Sequence, residues 1–316
     1  MAKWSARDIP SQSGRVAVVT GANSGLGLVT TRELARAGAR VIMGCRDAAR
    51  GETARARVVE QVPDAAVEVR PLDLASLASI RAFADSLHAD VPQLDLLVNN
   101  AGVMAIPRQV TADGFEQQLG TNHLGHFALT GLLLPSMLDR EGIRNEGSRV
   151  VTVSSSAHKP GRIDFDDLMA EHSYRKWSAY YQSKLANLLF AYELQRRLEA
   201  AGLATISVAA HPGYSATNLQ QVGPRMEGSR IGGLLMSLGN RVIAQSDEMG
   251  ALPQLYAATA PDVRGGDYFG PDGIAESRGH PKRVESTKAS KDHDVARRLW
   301  DVSEQLTGVR YDAVVR

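Results

Sequence analysis

The chain lacks most of the features that would point away from a compact enzyme. Its 316 residues include one cysteine, Cys45, which excludes an internal disulfide and fits a reducing compartment. Charge nearly cancels: 36 Lys and Arg stand against 35 Asp and Glu, for a formal net charge of +1. Nucleic acid and anionic membrane surfaces are therefore not expected partners. No apolar run approaches the roughly 20 residues that span a bilayer; the nearest, "LTGLLLPSML" and "IGGLLMSLG", are far shorter. The opening "MAKWSARDIPSQSG" has no apolar h-region, so no secretory signal is expected. Repeats, low-complexity blocks and Pro/Ser linkers are missing as well. With 43% hydrophobic and 22% charged residues the composition is ordinary. The expectation is one cytoplasmic domain over 1–316, with 1–13 as an N-terminal extension.

Short β-branched runs alternate with Ala-, Leu- and Arg-rich stretches of helical length. The runs are Arg15 to Thr20, Ala39 to Cys45, Ala66 to Leu72, Leu94 to Asn100, Arg149 to Ser154 and Thr205 to Ala210, with a weaker one from Asp267 to Gly270. They are continuously apolar and do not alternate, as strands buried on both faces do. The pattern predicts an α/β fold, a Rossmann-type doubly wound parallel sheet of about seven strands with helices on both faces. Two parts read as additions. One is "GPRMEGSRIGGLLMSLGNR", within 215–245. The other is the tail, 280–316, where Val295, Leu299, Val302 and Leu306 predict a closing helix docked on the core.

Such sheets bind ligands at the carboxyl ends of their strands. "TGANSGLG" follows the first strand and opens a helix, with Gly21, Gly25 and Gly27 spaced G-x-x-x-G-x-G. Glycines there let the backbone turn tightly and approach a pyrophosphate seated on a helix N-terminus. A plain structural turn is the competing reading. It loses ground because other strand ends carry small or polar residues too: Asp73, "NNAG" (Asn99 to Gly102), Ser154-Ser155 and "HPG" (His211 to Gly213). The second strand ends in Cys45-Arg46, where an arginine pairs with a ribose 2′-phosphate and an acid would favour a free hydroxyl. NADP(H) is therefore expected over NAD. Asp47, one step further on, fits an N-cap of the next helix.

In "SAYYQSKLANLLF" the helical angle separates two adjacent tyrosines. Lys184, Asn187 and Ala191 fall within about 40° of Tyr180. Tyr181 instead falls with Leu185, Leu188, Leu189 and Tyr192 on an apolar stripe suited to a core or to a partner copy. A phenol facing an ammonium at i, i+4 suits proton transfer. Free tyrosine titrates near 10, and a neighbouring cation is expected to lower that value. His123 and His126 lack accompanying ligands at metal spacing, so no metal is expected. Asp164, Asp166 and Asp167 read as a solvated face.

"TGANSGLG", "NNAG", "VVTVSSS", "YYQSK" and "HPG", in this order, resemble the short-chain dehydrogenase/reductase family over about Arg15 to Gly270. "GCRD", "SSSAH" and "YYQSKLANLLF" are similar to its retinol-dehydrogenase-like and protochlorophyllide-reductase-like branch. The resemblance implies an alcohol/carbonyl oxidoreductase. Tyr180 would be its acid/base, Lys184 its lysine, Ser155 the group that hydrogen-bonds the carbonyl, and Asn122 the fourth member, anchoring a water beside Lys184. It implies that Gly21, Ser24, Gly25, Leu26, Gly27, Arg46, Asp73, Leu74, Asn100, Ala101 and Gly102 line the cofactor with Tyr180 and Lys184. Pro212, Gly213 and Thr217 would lie near the nicotinamide, and relatives often pair as homo-oligomers through the helices of Asn122 and Tyr180.

The sequence departs from the common family pattern twice. The stretch "AHKPGRIDFDDLMAEHSYRKW" is inserted between Ser155 and Tyr180, and Ser24 stands where many NADP-using relatives have a basic residue. Two other functions stay in view: a non-catalytic dinucleotide-binding sensor or scaffold, and an epimerase or dehydratase built on the same triad. The greasy, glycine-bearing segment within 215–245 is expected to act as a lid over a sizeable apolar alcohol or carbonyl.

Overall fold

The structure is a computed structural model that describes residues 3–138, 147–214 and 245–314. Among the described residues eight strands form one sheet: β1 (Val16–Thr20), β2 (Arg40–Cys45), β3 (Val67–Pro71), β4 (Leu96–Asn99), β5 (Arg149–Val153), β6 (Ile206–Ala210), β7 (Tyr268–Pro271) and β8 (Pro281–Arg283). Their spatial order is β3-β2-β1-β4-β5-β6-β7-β8. The first seven pair in parallel, as their apolar runs imply, and β8 lies antiparallel against β7. The eighth strand was not expected. Its sequence, Pro-Lys-Arg, reads as loop, yet proline and charge suit an edge that must not recruit another chain.

The helices are α1 (Gly25–Arg36), α2 (Ala48–Gln61), α3 (Leu77–His88), the short α4 (Gln117–Leu119), α5 (Gly125–Leu133), α6 (Lys176–Ala200), α7 (Asp247–Thr259) and α8 (His293–Thr307). Register explains why they cover both faces. Val18 lies beside Ile42 and Leu97, and Leu97 beside Val150. This face packs on Phe83, Phe127 and Phe190 from α3, α5 and α6. The alternate residues Val19, Met43, Val98 and Val151 pack on Leu34, Val58 and Leu255 from α1, α2 and α7. Strand order reverses between β1 and β4, which opens the crevice where such sheets hold ligands.

The tail helix docks by a different face from the expected one. Ala296, Leu299, Trp300, Ser303 and Thr307 are buried, while Val295, Val302 and Leu306 are only half-buried at the margin. Burying Ser303 and Thr307 costs little because their hydroxyls donate to the carbonyls of Leu299 and Ser303, each at 2.7 Å. Trp300 joins Phe127, Phe190 and Tyr311 in one aromatic cluster. Leu185 and Leu189 of the expected stripe pack on Ala296 and Leu299 of the tail, while Leu188 and Tyr192 pack on Tyr268. The expected lid lies outside the described residues except for Gln245, and Thr217 lies outside them too. No described helix is long and apolar enough to cross a membrane.

Candidate active site

β1 ends at Thr20, and the chain turns through Gly21 (φ 65°) and Gly25 (φ 54°) into α1. A Cβ at Gly27 would stand 2.4 Å from the Gly21 carbonyl oxygen and 2.6 Å from Asn100 Nδ2. Only glycine fits there. The Ser24 side chain makes no cap to α1, and among the described residues no side chain accepts from its first-turn N–H groups. Asn100 and Ala101 donate their N–H groups to Thr20 Oγ1, both at 2.9 Å. The Asn100 amide donates to Thr20 O at 2.8 Å and accepts from Gln254 at 3.1 Å. Its side chain thus braces the turn and does not reach into the crevice.

Asp73 Oδ1 accepts from the Ala75 N–H at 3.0 Å, and buried Leu74 packs where a Cβ on Gly125 would lie 2.4 Å from its carbonyl oxygen. Asp47 caps α2 by accepting from the Arg50 N–H at 3.0 Å, as expected. Arg46 is exposed, with no hydrogen bond or ion pair among the described residues. A glycine cradle that any side chain would fill, an uncapped helix start and an unpaired arginine fit a dinucleotide.

The second half of the site rests on α6. Tyr180, Lys184 and Asn187 share one face and are 5%, 3% and 1% exposed. Lys184 Nζ lies 5.8 Å from the Tyr180 ring centroid and donates to the Val153 carbonyl at 3.2 Å. Asn187 donates to the same carbonyl at 3.0 Å. The three neighbouring serines are resolved by position. Ser154 is buried with its hydroxyl on the Lys184 carbonyl, Ser156 is exposed, and Ser155 is the one near enough to the Tyr180 phenol to lower its pKa. Tyr181 is half-buried against Trp177, with ring centroids 6.0 Å apart.

Electrostatics in the protein alone are set by desolvation. Burial pushes the Tyr180 phenol up to about 12, against a smaller lowering by the neighbouring Ser155. Burial also pushes Lys184 down to about 8. Helical spacing brings the two side chains close. Desolvation, which disfavours each charged form, outweighs what proximity offers.

Asn122 sits in a π-helical turn, Gly120–Leu124, between α4 and α5. Such turns carry an extra residue and are common at functional sites. Its Oδ1 accepts from the Val103 N–H at 2.8 Å, while its amide donates to the Val103 carbonyl and to Ser183 Oγ, each at 2.9 Å. The side chain therefore clamps the loop after Gly102. Gly102 lets this happen, since a Cβ there would lie 3.1 Å from Asn122 Oδ1 and 3.6 Å from Lys184 Nζ.

His126 was not expected in this site. Its Nδ1 lies 3.0 Å from the Asn122 carbonyl oxygen, which can only accept, so Nδ1 carries the hydrogen. Nε2 then accepts from Thr20 Oγ1 at 2.9 Å. Burial pushes the ring down to about 4, so it stays neutral. The imidazole therefore bridges the glycine turn and the Asn122 turn. His123 points elsewhere, to Ser303 Oγ at 2.9 Å. Among the described residues no three His, Cys, Asp or Glu side chains are grouped to hold a metal. Asp164 and Asp167 accept backbone N–H groups within the insertion and staple it.

Beyond β6, Gly213 (φ 67°) donates its N–H to His211 Nδ1 at 3.2 Å, and Pro212 O accepts from Gln245 at 2.5 Å. His211 Nε2 lies 3.1 Å from Glu276 Oε2. These contacts hold "HPG" at the same end of the sheet as the glycine turn.

Comparison with known proteins agrees with this geometry. A family model described as short chain dehydrogenase matches residues 15–227. Retinol dehydrogenase 14 of Mus musculus is 43% identical over 308 residues, covering 94% of this chain and 86% of that protein. The crystal structure of an uncharacterized protein from Mycobacterium paratuberculosis superposes with a TM-score of 0.79 at 47% identity, covering 98% of this chain and 99% of the other. The Pseudomonas aeruginosa RhlG/NADP active-site complex superposes with a TM-score of 0.61 at 26% identity, covering 82% and 94%. With the glycine turn, the Ser155–Tyr180 pair and these matches together, the chain belongs to the short-chain dehydrogenase family, in its retinol-dehydrogenase-like branch, as an oxidoreductase of alcohol and carbonyl groups that uses a nicotinamide dinucleotide.

Proposed function

We propose that the protein interconverts a sizeable apolar alcohol and its carbonyl with NADP(H), and that Tyr180 is the acid/base. The observation that carries this reading is the buried Tyr180 phenol with Lys184 on the same helix face, 5.8 Å from its ring centroid, and Ser155 close enough to lower the phenol's pKa. When bound, the nicotinamide supplies or accepts the hydride at the substrate carbon. Ser155 donates to the substrate oxygen and offsets its developing charge. In reduction Tyr180 Oη passes its proton to that oxygen, and in oxidation it takes the proton back. Burial keeps the phenol protonated, so it holds the proton that reduction requires. In the second, the Lys184 ammonium is the fixed cation available to stabilise a phenolate. Asn122 acts at one remove, holding Val103 and Ser183 in place.

For the cofactor, Gly21, Ser24, Gly25, Leu26 and Gly27 receive the pyrophosphate, and Arg46 pairs with the 2′-phosphate. Asp73, Leu74, Ala101 and Gly102 line the adenosine side and the crevice floor, with Pro212 and Gly213 beside the nicotinamide. The NADP in the RhlG complex and the unpaired Arg46 support the cofactor preference. The retinol named for the mouse relative supports an apolar substrate. The test is cofactor oxidation followed across aldehydes, ketones and quinones of graded size. NADPH should outperform NADH, and bulky apolar carbonyls should outperform short ones. Turnover of none of them, or a preference for polar sugars, overturns the reading.

A further inference from the structure

Trp177 is placed unlike the other two tryptophans. Indole is a large apolar side chain that is normally mostly buried. Trp300 is 2% exposed within the aromatic cluster, and Trp4 packs on the core beside Tyr256. Trp177 remains 39% exposed and belongs to none of the hydrophobic clusters among the described residues. Its ring neighbours are Tyr180, edge-on with centroids 6.2 Å apart at 77°, and Tyr181.

The position is firmly held. Trp177 lies in the first turn of α6, one turn before Tyr180. Gln118 accepts the Ala105 N–H at 2.7 Å and donates to the Lys176 carbonyl at 2.8 Å, tying that first turn to the loop after Gly102. Tyr174 donates to the Ile106 carbonyl at 2.8 Å and adds a second tie. An exposed indole beside the acid/base phenol has no packing role among the described residues that explains it. An apolar body arriving beside Tyr180 would cover its exposed surface, and a flat unsaturated chain matches an indole better than a globular or hydrated one.

We propose that Trp177 is the apolar wall of the substrate site. It is a specificity-determining residue that packs on the hydrocarbon of an extended, unsaturated alcohol or aldehyde whose oxygen lies at Tyr180. The inference rests on the function proposed above and adds the residue that selects for its apolar substrate. The contact is between the two rings, T-shaped with centroids 6.2 Å apart, and Trp177 offers no group to the proton transfer, so its effect belongs in KM more than in kcat.

The experiment compares wild type, Trp177→Ala and Trp177→Phe with farnesal and with butanone. Trp177→Ala should lower the farnesal-to-butanone ratio of kcat/KM roughly tenfold, chiefly through the farnesal KM, and Trp177→Phe should recover most of it. An equal fall for both substrates overturns the proposal. A second readout needs no turnover: farnesal should quench indole emission in wild type and not in Trp177→Phe, where Trp4 and Trp300 remain as controls. If wild type reduces no apolar carbonyl, the functional reading fails and the quench alone decides. No quench, or the same quench in Trp177→Phe, then overturns the wall.

Discussion

The turn after β1 and the floor after β5 lie two strands apart in the sheet and are built on opposite plans. At the turn, what makes room for a ligand is missing volume. Gly27 can carry no Cβ, and Ser24 leaves the start of α1 uncapped. At the floor the working parts are polar side chains held away from water. Tyr180, Lys184, Asn187 and Ser154 are all buried, and burial drives the first two toward their neutral forms. A site made of backbone should tolerate a lost side-chain atom and fail on an added one. A site made of buried polar groups should do the reverse.

The largest expected effect tests the floor. Tyr180→Phe removes one oxygen and no volume, and should lose at least about a hundredfold in kcat, the usual range for removing a general acid. Cofactor binding, measured by fluorescence titration, should survive. Tyr181→Phe makes the same chemical change one residue on, beside Trp177 and away from Ser155, and should keep most of the activity. Equal losses in the two variants would sink the assignment of Tyr180.

The turn should break in the opposite way. Gly27→Ala adds one methyl at 2.4 Å from a carbonyl oxygen. Overpacking of that kind costs about 1–3 kcal/mol, so NADPH and NADH should both weaken roughly ten- to hundredfold. At saturating cofactor kcat should stay close to wild type. If it falls as far as in Tyr180→Phe, turn and floor are not separable. Arg46→Ala asks less of the molecule, because Arg46 is exposed and unpaired. NADPH should weaken about tenfold, the loss of one charge-assisted contact, with NADH nearly unchanged. Parallel weakening of both would make Arg46 structural.

How much of this was legible in the sequence depended on whether the deciding interaction was local. Seven strands and their parallel pairing followed from continuously apolar runs, and the helical angle alone separated Tyr180 from Tyr181. β8 was missed because three residues with a proline and two charges carry no strand pattern. The tail helix was read by its aliphatic stripe, whereas its buried face includes Ser303 and Thr307, whose hydroxyls are satisfied by their own helix. Spacing put Lys184 beside Tyr180 and said nothing of desolvation, which raises the phenol in the protein alone. Asn122 was picked out by motif, but its clamp on Val103 depends on a π-turn that no local pattern announces. His126 was weighed only as a metal ligand, because its partner Thr20 is remote in sequence.

That histidine carries the smallest and most pointed prediction, since it ties the glycine turn to the Asn122 turn, where the Asn122 side chain reaches Ser183 beside the floor. Its pKa is depressed to about 4 by burial, against an ordinary value of 6.5. The unfolded chain therefore takes up a proton near pH 6.5 that the folded chain refuses until about pH 4. The stability tied to this group is fully present above pH 6.5 and is lost as pH falls from there through 4. Between pH 7 and 5 the loss amounts to about 2 kcal/mol for one such group. His123 is held lower still, at about 3, and adds the same trend in every variant that retains it. His126→Gln should be less stable than wild type at pH 7, because the bonds to Thr20 and Asn122 are disturbed. Its stability should fall less steeply toward pH 5, so that urea midpoints of the two proteins converge in acid. Parallel pH curves would mean that His126 already titrates normally. If convergence comes with a few-fold weakening of cofactor and a few-fold fall in kcat together, the turn and the floor are coupled through this ring. If only one of the two moves, the ring supports that region alone.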